Sequence, residues 1–175
     1  MSATDGASTT EDTFSGLVER HRAIVLKVAH VYAPSADERE DVAQEILLQL
    51  WRAFPRYDRT RRFSTWMYRV ALNVGISYAR RAGHRRRGYE QYVAEPEADR
   101  RREPVVDRDA QVRELERFIA DLDELSRALV LLHLEDRPHR EIAQILGISE
   151  SNVGTRLSRL KQRMRRELAP SSPEG

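Results

Sequence analysis

The sequence predicts an all-α protein of two small helical domains joined by a flexible linker, with a helix-turn-helix in the C-terminal domain. Apolar residues recur at helical spacing in several long segments, and strand-like alternation is almost absent. Residues 83–109 separate these segments with Gly, Pro and blocks of alternating charge, and they have no sustained apolar period. A chain of 175 residues has room for one domain or two small ones.

The composition excludes several classes of protein. There is no cysteine, which excludes a disulfide framework and thiolate chemistry. No apolar run approaches the length of a membrane span, and the N-terminus lacks the basic start and apolar core of a signal peptide. We therefore expect a cytoplasmic protein that does not bind a membrane. Because no nucleophile, metal-ligand or phosphate-loop pattern is present, we also expect no catalysis, no cofactor and no bound metal.

The N-terminal segment predicts disorder followed by one helix. Residues 1–12 are small, polar and acidic, which is typical of disordered chain. Apolar residues from Phe14 to Tyr32 then recur at helical spacing and predict a single helix that ends before Pro34. His21 lies among them, and we interpret it as a partly buried core histidine.

Residues 37–54 predict an amphipathic helix with an unusual outer side. The predicted core positions are Val42, Ala43, Ile46, Leu50 and Ala53. The opposite side carries Leu48 with Asp41, Gln44, Glu45, Trp51 and Arg52. A Leu and a Trp framed by acids indicate a docking face for another protein. The alternative is that Trp51 folds back onto a neighbouring helix and Leu48 is an ordinary exposed leucine.

Residues 52–87 form a basic zone that contains eleven arginines and one acid, Asp58. Its first part, residues 55–62, is a basic loop with one aromatic residue, Tyr57, and a helix is predicted over residues 63–81. The predicted core stripe of that helix is Phe63, Trp66 or Met67, Val70, Val74, and Ser77 or Tyr78. Basic loops with interleaved aromatic rings suit single-stranded or melted nucleic acid. Asn73 lies off the stripe, where it is able to read a base edge but needs no such role.

The C-terminal part predicts four further helices. Apolar spacing indicates one over residues 112–125, a short one over 126–135, another over 139–146 with Pro138 in its first turn, and a last one over 149–168. Gly147 supplies a sharp turn before the last helix, and Ser149 is a good N-cap. The core side of the last helix is Val153, Leu157, Leu160 and Met164, and the other side is Asn152, Thr155, Arg159, Gln162, Arg163 and Arg166. Two helices joined by a Gly turn, the second with a basic outer side, are typical of a DNA-reading helix-turn-helix. The alternative is a surface helix whose charges only solvate it.

Three segments in this order resemble bacterial RNA polymerase sigma factors of the extracytoplasmic-function group. DVAQEILLQLW resembles the segment that docks on the clamp helices of the largest polymerase subunit. FSTWMYRVALNVGISYARR resembles the segment that opens and reads the −10 promoter element, and HREIAQILGISESNVGTRLSRLKQRM resembles the −35-reading helix-turn-helix. The resemblance implies sigma region 2 over residues 13–82, a linker over 83–109, region 4 over 110–168 and a tail over 169–175.

The resemblance also implies three groups of site residues. Binding of core polymerase falls on Asp41, Gln44, Glu45, Leu48 and Trp51. Contact with the −10 element falls on Tyr57, Arg59, Arg61, Arg62, Asn73, Ser77, Arg80 and Arg81. Contact with the −35 element falls on Asn152, Thr155, Arg156, Arg159 and Arg163. Two positions depart from the family pattern, because Gly154 stands where many relatives have a basic residue and Pro138 stands where a Ser or Thr cap is usual.

The implied function is promoter-specific initiation of transcription, and the implied partners are core RNA polymerase, including the flap of its second subunit, promoter DNA and an anti-sigma factor. The linker has a free span of roughly 28 Å and a limit of about 85 Å, whereas promoter elements two helical turns apart need about 70 Å. The linker can reach that distance but cannot set it, so we expect polymerase to hold the two domains apart. A helix-turn-helix regulator that needs no polymerase and a sigma-like decoy are the alternatives.

Overall fold

The computed structural model describes residues 5–90 and 110–168, with side chains from 13 to 85 and from 112 to 168. The regular structure of these residues consists of eight α-helices and one 3-10 turn, and the chain divides into two compact units between Gly88 and Tyr89. The prediction of an all-α protein with two helical domains is therefore confirmed. Residues 91–109 of the predicted linker and the predicted tail lie outside the described residues.

The first unit contains four helices: α1 (Asp5–Arg20), α2 (Arg22–Tyr32), α3 (Ala36–Ala53) and α4 (Phe63–Glu90). A 3-10 turn, Phe54–Arg56, follows α3 directly. Apolar side chains of α2, α3 and α4 form the core, and these helices bury Val28, Ile46, Leu50, Met67 and Tyr68 among others. The predicted core side of α3 is largely confirmed, since Val42, Ile46 and Leu50 are buried whereas Ala43 and Ala53 are partly buried.

The single N-terminal helix that the sequence predicts is divided in two at His21. His21 has φ −114° and ψ 14°, and its N–H bonds the Val18 carbonyl at 3.0 Å, three residues back instead of four. Apolar spacing continues across the break without Gly or Pro, so periodicity alone cannot reveal it. The helix also begins earlier than predicted, because residues 5–12 are helical; once a helix has nucleated, each added residue gains a hydrogen bond.

The predicted core stripe of α4 is wrong by about a quarter turn. The buried residues are Phe63, Met67, Tyr68, Ala71, Leu72 and Gly75, whereas Val70 and Val74 are only partly buried and Ser77 is exposed. Gly75 explains the rotation: a Cβ there would lie 2.6 Å from Cδ2 of the buried Tyr32 ring, so α2 and α4 approach closely at this point. Apolar spacing follows the valines and carries no signal for a glycine that packs between helices. The helix also continues to Glu90, so residues 83–90, predicted as linker, are helical.

The second unit contains α5 (Ala110–Ala120), α6 (Glu124–Leu134), α7 (His139–Leu146) and α8 (Glu150–Glu167). The helix predicted over residues 112–125 ends early, because Asp123 starts a new one. Its carboxylate accepts hydrogen bonds from the Ser126 N–H at 3.0 Å and the Ser126 hydroxyl at 2.6 Å, which is an N-cap arrangement.

Helices α7 and α8 form the predicted helix-turn-helix. Gly147 has φ 68°, in the left-handed region that favours glycine, and the Ser149 side chain accepts a hydrogen bond from the Asn152 N–H. Pro138 is the N-cap of α7 and not part of its first turn; it has no side-chain cap, and its carbonyl accepts from the N–H groups of Glu141 and Ile142. A proline therefore starts this helix without the usual Ser or Thr.

Candidate nucleic-acid and polymerase interfaces

The outward side of α3 exposes large apolar side chains beside acids. Leu48 and Trp51 are 41% and 42% exposed, as their outward angle predicts, and Leu47 is 39% exposed. Leu47 was not among the predicted docking residues, although its place on the helix, one position before Leu48, is visible in the sequence. Asp41 and Gln44 are also exposed, and Glu45 is partly buried. We call Leu47, Leu48 and Trp51 the α3 apolar patch.

Trp51 combines both interpretations that the sequence leaves open. One edge of its ring packs against Phe14 of α1, with centroids 5.1 Å apart, while the rest stays exposed. Phe14 also contacts Phe54, and Phe54 stacks on Tyr57 at 6.1 Å. Rings from α1, α3, the 3-10 turn and the basic loop therefore connect the α3 apolar patch to that loop.

Tyr57 lies inside this aromatic cluster and is only partly exposed. Its ring is 4.9 Å from the Trp66 centroid and 5.5 Å from that of Phe63, and its hydroxyl donates to the Arg61 carbonyl. Burial, followed by the nearby charge of Asp58, raises the pKa of the Tyr57 hydroxyl. The ring therefore packs against α4 and holds the loop through its hydroxyl, and it does not project into solvent. The loop arginines Arg59, Arg61 and Arg62 are exposed.

A groove between α3 and α4 brings together residues predicted for two different partners. It consists of two adjoining hollows of about 260 and 360 Å³ that share Glu45, Val74 and Arg81. Asp41 lines the first hollow, and the second is lined in part by Asn73 and Ser77. The remaining lining residues are Val42, Tyr78, Gln49, Ala53 and Val70. Asn73, Ser77, Arg80 and Arg81 are exposed.

One end of this groove is fixed by a hydrogen bond between its two helices. The Tyr78 hydroxyl of α4 donates to the Glu38 carboxylate of α3 at 2.8 Å, and Glu38 forms a capping box with Ser35. Burial alone would raise the pKa of Glu38, but the hydrogen bonds from Ser35 and Tyr78 outweigh it and lower that pKa. Burial and the bond to Glu38 raise the pKa of Tyr78 to about 12.

The outward side of α8 is continuous and polar. Six exposed side chains occupy it at helical spacing: Ser151, Thr155, Ser158, Arg159, Gln162 and Arg166. Of the residues predicted for the −35 element, Thr155 and Arg159 belong to this set. Ser151 and Ser158 were missed; both fall on the outer half of the helical wheel, but a serine gives no compositional signal there.

The other three predicted residues of α8 lie on its flank and have partners within the unit. Arg156 Nε donates to Asn152 Oδ1 at 3.0 Å, and both residues are partly buried. Arg163 Nε donates to Glu167 Oε1 at 2.7 Å, and its guanidinium lies 5.5 Å from the Phe118 ring centroid of α5. Arg156 also helps to lower the pKa of Asp123, the cap of α6, although burial opposes this and the Ser126 hydrogen bonds contribute more.

Two kinds of feature, a membrane-spanning helix and a metal-binding cluster, are absent from the described residues. No helix there is both long and apolar enough to cross a bilayer. No group of three or more His, Asp or Glu side chains there is arranged to hold a metal ion.

Comparison with known proteins identifies the family. Residues 17–85 match the family described as Sigma-70 region 2, and residues 112–164 match Sigma-70, region 4. The chain is 26% identical over 173 residues to the ECF RNA polymerase sigma factor SigW of Bacillus subtilis, covering 90% of each protein.

Two solved structures share the fold. CnrH in complex with the cytosolic domain of CnrY has a TM-score of 0.67 at 24% identity, covering 97% of this chain and 96% of that one. RpoE in complex with the anti-sigma factor NepR from Bartonella quintana has a TM-score of 0.66 at 17% identity, covering 92% and 97%. With both sigma-70 regions matched in order, this chain belongs to the extracytoplasmic-function group of the sigma-70 family, non-catalytic factors that bind RNA polymerase for transcription initiation.

Proposed function

We propose that this chain directs core RNA polymerase to promoters by reading the −35 element as duplex and the −10 element as melted strand. The observation that carries the proposal is the outward side of α8, where a capped helix presents six exposed polar side chains. The proposed domains are region 2 over residues 13–82, a linker over 83–109 and region 4 over 110–168.

For the −35 element, the geometry divides the predicted residues into two groups. Thr155 and Arg159 are exposed and suit direct contact with base edges in the major groove, where each base pair has a distinct pattern of donors and acceptors. Asn152 and Arg156 are partly buried and hydrogen-bonded to each other, and Arg163 lies against Phe118, so these three suit a positioning role. The proposal therefore gives Arg159 the main base or phosphate contact.

For the −10 element, exposed cations surround the end of the α3–α4 groove and the basic loop. Arg80, Arg81 and the loop arginines supply positive charge for phosphates, and Asn73 and Ser77 supply groups that hydrogen-bond bases. Tyr57 contributes by holding the loop in shape. Taking a base out of the stack costs a few kcal/mol, which base capture and phosphate contacts offset.

For polymerase, the α3 apolar patch is the proposed contact with the clamp helices. Covering exposed Leu and Trp side chains with another protein lowers the free energy of the complex. A buried aromatic residue often dominates such an interface. Region 4 is proposed to contact the flap of the second subunit. An anti-sigma factor is a further proposed partner, because the two similar structures are complexes, one with the cytosolic domain of CnrY and one with the anti-sigma factor NepR.

A run-off transcription assay with bacterial core polymerase, this chain and a library of promoter fragments tests the proposal. We expect new transcripts that start at defined positions and depend on the chain. Inhibition without new starts would favour the decoy, and no effect would favour a regulator that acts alone. Tight, spacing-dependent promoter binding by the isolated chain in a gel shift would contradict the idea that polymerase sets the distance.

A further inference from the structure

Gly154 leaves one position on α8 without a side chain, and His139 of α7 lies beside that position. Gly154 lies between Ser151 and Ser158 on one strip of α8, since residues three or four apart share a side of a helix. A Cβ at Gly154 would lie 3.8 Å from Nδ1 and 3.9 Å from Cε1 of His139, at ordinary van der Waals distance. The imidazole of α7 therefore lies beside the bare backbone of α8.

The charges on this strip stand at its two ends, where Glu150 lies four residues before Gly154 and Lys161 lies three residues after Ser158; both are exposed. Ser151 and Ser158 are exposed and neutral, and His139 is exposed beside them, in the first position of α7. A phosphate that approaches the middle of this strip therefore meets an imidazole, the side chain whose charge changes most readily between about pH 5 and 8, and meets the permanent cation of Lys161 one turn further along.

His139 interacts with His133 of α6, and His133 in turn interacts with Lys161 of α8 and with Asp136 in the turn between α6 and α7. The exposed guanidinium of Arg140 follows His139 in the chain. Burial, Lys161 and His139 lower the pKa of His133, and Asp136 opposes them. His133 is partly buried, so His139 is the more accessible histidine of the pair.

We propose that His139 contacts a DNA phosphate beside the Ser151–Gly154–Ser158 strip, and that protonation of its imidazole strengthens binding of the −35 duplex. This inference rests on the proposed function of α8. A phosphate close to an imidazole favours the charged form, so the contact is expected to strengthen at lower pH. One additional phosphate contact also steepens the dependence of the binding constant on salt by about one unit.

The experiment measures binding of the holoenzyme, core polymerase with the full chain, to a fluorescent promoter duplex found in the run-off assay. Titrations at about pH 6 and pH 8 compare the wild type with His139→Gln, and His30→Gln on α2 is the matched control. We expect His139→Gln to bind roughly two- to fivefold more weakly than the wild type at pH 6, with a smaller difference at pH 8. Its salt dependence should be lower by about one unit at pH 6.

A rescue variant separates a lost phosphate contact from a folding defect. His139→Gln combined with Gly154→Lys should recover the lost affinity at both pH values, because a permanent cation then stands at the place of the lost imidazole and its Cβ has room. Identical pH and salt profiles for the wild type and His139→Gln would overturn the inference. So would failure of Gly154→Lys to restore affinity to a variant that folds normally by circular dichroism. If the run-off assay finds no promoter for the wild type, the proposed function itself is wrong, and that result is distinct from a failure of the His139 contact.

Discussion

The two units expose different chemistry at the surfaces proposed for recognition. The α3 apolar patch presents Leu47, Leu48 and Trp51 beside carboxylates, whereas the outward side of α8 presents serine, threonine, glutamine and arginine. Apolar surface is stabilised by a protein that excludes water from it, and a cationic polar helix is stabilised by phosphates and base edges. The difference supports the proposal that polymerase binds the first unit's patch and duplex DNA the second unit's helix.

The two surfaces also differ in how their side chains are held. The candidate residues of the first unit come from α3, α4 and the basic loop, and an aromatic cluster joins them. Those of the second unit come from one helix with a cap at its start. Substitutions in the first unit are therefore expected to affect several surfaces together, whereas those on α8 should act locally.

The largest effect is expected at the α3 apolar patch. Leu48→Asp places a charge in the centre of the proposed interface and should weaken binding of core polymerase at least about thirtyfold, which is the size of an interface hot spot. The measurement is a fluorescence titration of labelled chain with core polymerase. Leu26→Asp is the matched control, since Leu26 is 61% exposed on α2, outside the patch. Equal affinity of Leu48→Asp and the wild type would show that the interface lies elsewhere.

The next largest effect separates the two kinds of arginine on α8. Arg159→Ala should weaken holoenzyme binding to a promoter duplex by about 1–3 kcal/mol, because this exposed side chain is the proposed contact. Arg163→Ala should leave DNA affinity nearly unchanged and lower the stability of the second unit, since it loses the Phe118 and Glu167 contacts. Anisotropy titrations and thermal unfolding by circular dichroism measure both. If Arg163→Ala weakens DNA binding as much as Arg159→Ala does, the assignment of DNA contact to Arg159 and of a positioning role to Arg163 is wrong.

A smaller effect compares the mid-helix glycines of the two units. Gly75→Ala should destabilise the first unit by about 1–2 kcal/mol, because the added Cβ overlaps the buried Tyr32 ring and overpacking outweighs the gain in helix propensity. Both tryptophans, Trp51 and Trp66, lie in the first unit, so their fluorescence during urea unfolding reports this unit. Gly154→Ala is the control; it should stabilise the second unit by up to about 1 kcal/mol, since its Cβ meets only an ordinary contact. A stabilised Gly75→Ala variant would contradict the close approach of α2 and α4.

The smallest expected effect concerns how the stability of the first unit depends on pH through the Glu38–Tyr78 hydrogen bond between α3 and α4. Since the folded-state pKa of Glu38 lies below 4.5, its carboxylate stabilises the first unit above about pH 4.5, and this contribution is lost as the pH falls further. Glu38→Gln should therefore lower stability at pH 7 by about 0.5–1 kcal/mol and flatten the acid side of the profile. Tryptophan fluorescence during urea unfolding at pH 3 to 7 measures this, with Tyr78→Phe as a second variant. If both variants lose stability between pH 7 and pH 3 as the wild type does, this hydrogen bond does not contribute to the acid sensitivity of the first unit.

The sequence predicted the local features of both units well and the contacts between helices poorly. The start of α8 at Ser149, the turn at Gly147 and the outward position of Leu48 follow from spacing and capping rules, and the structure confirms them. The core side of α4 was predicted wrongly, because a glycine packed against Tyr32 carries no hydrophobic signal. The helix break at His21 was missed for a similar reason, since the ring contact with Phe63 involves residues far apart in the chain.

By itself, the sequence determined the helical class, the helix-turn-helix and the sides of α3 and α8 that face solvent, because periodicity records which residues share one side of a helix. Only the tertiary structure decided that Arg163 is held against Phe118, that Tyr57 supports its loop and that His139 lies beside Gly154. Each of those depends on a partner from another helix or turn, and the pattern along a single segment contains no information about what packs against it.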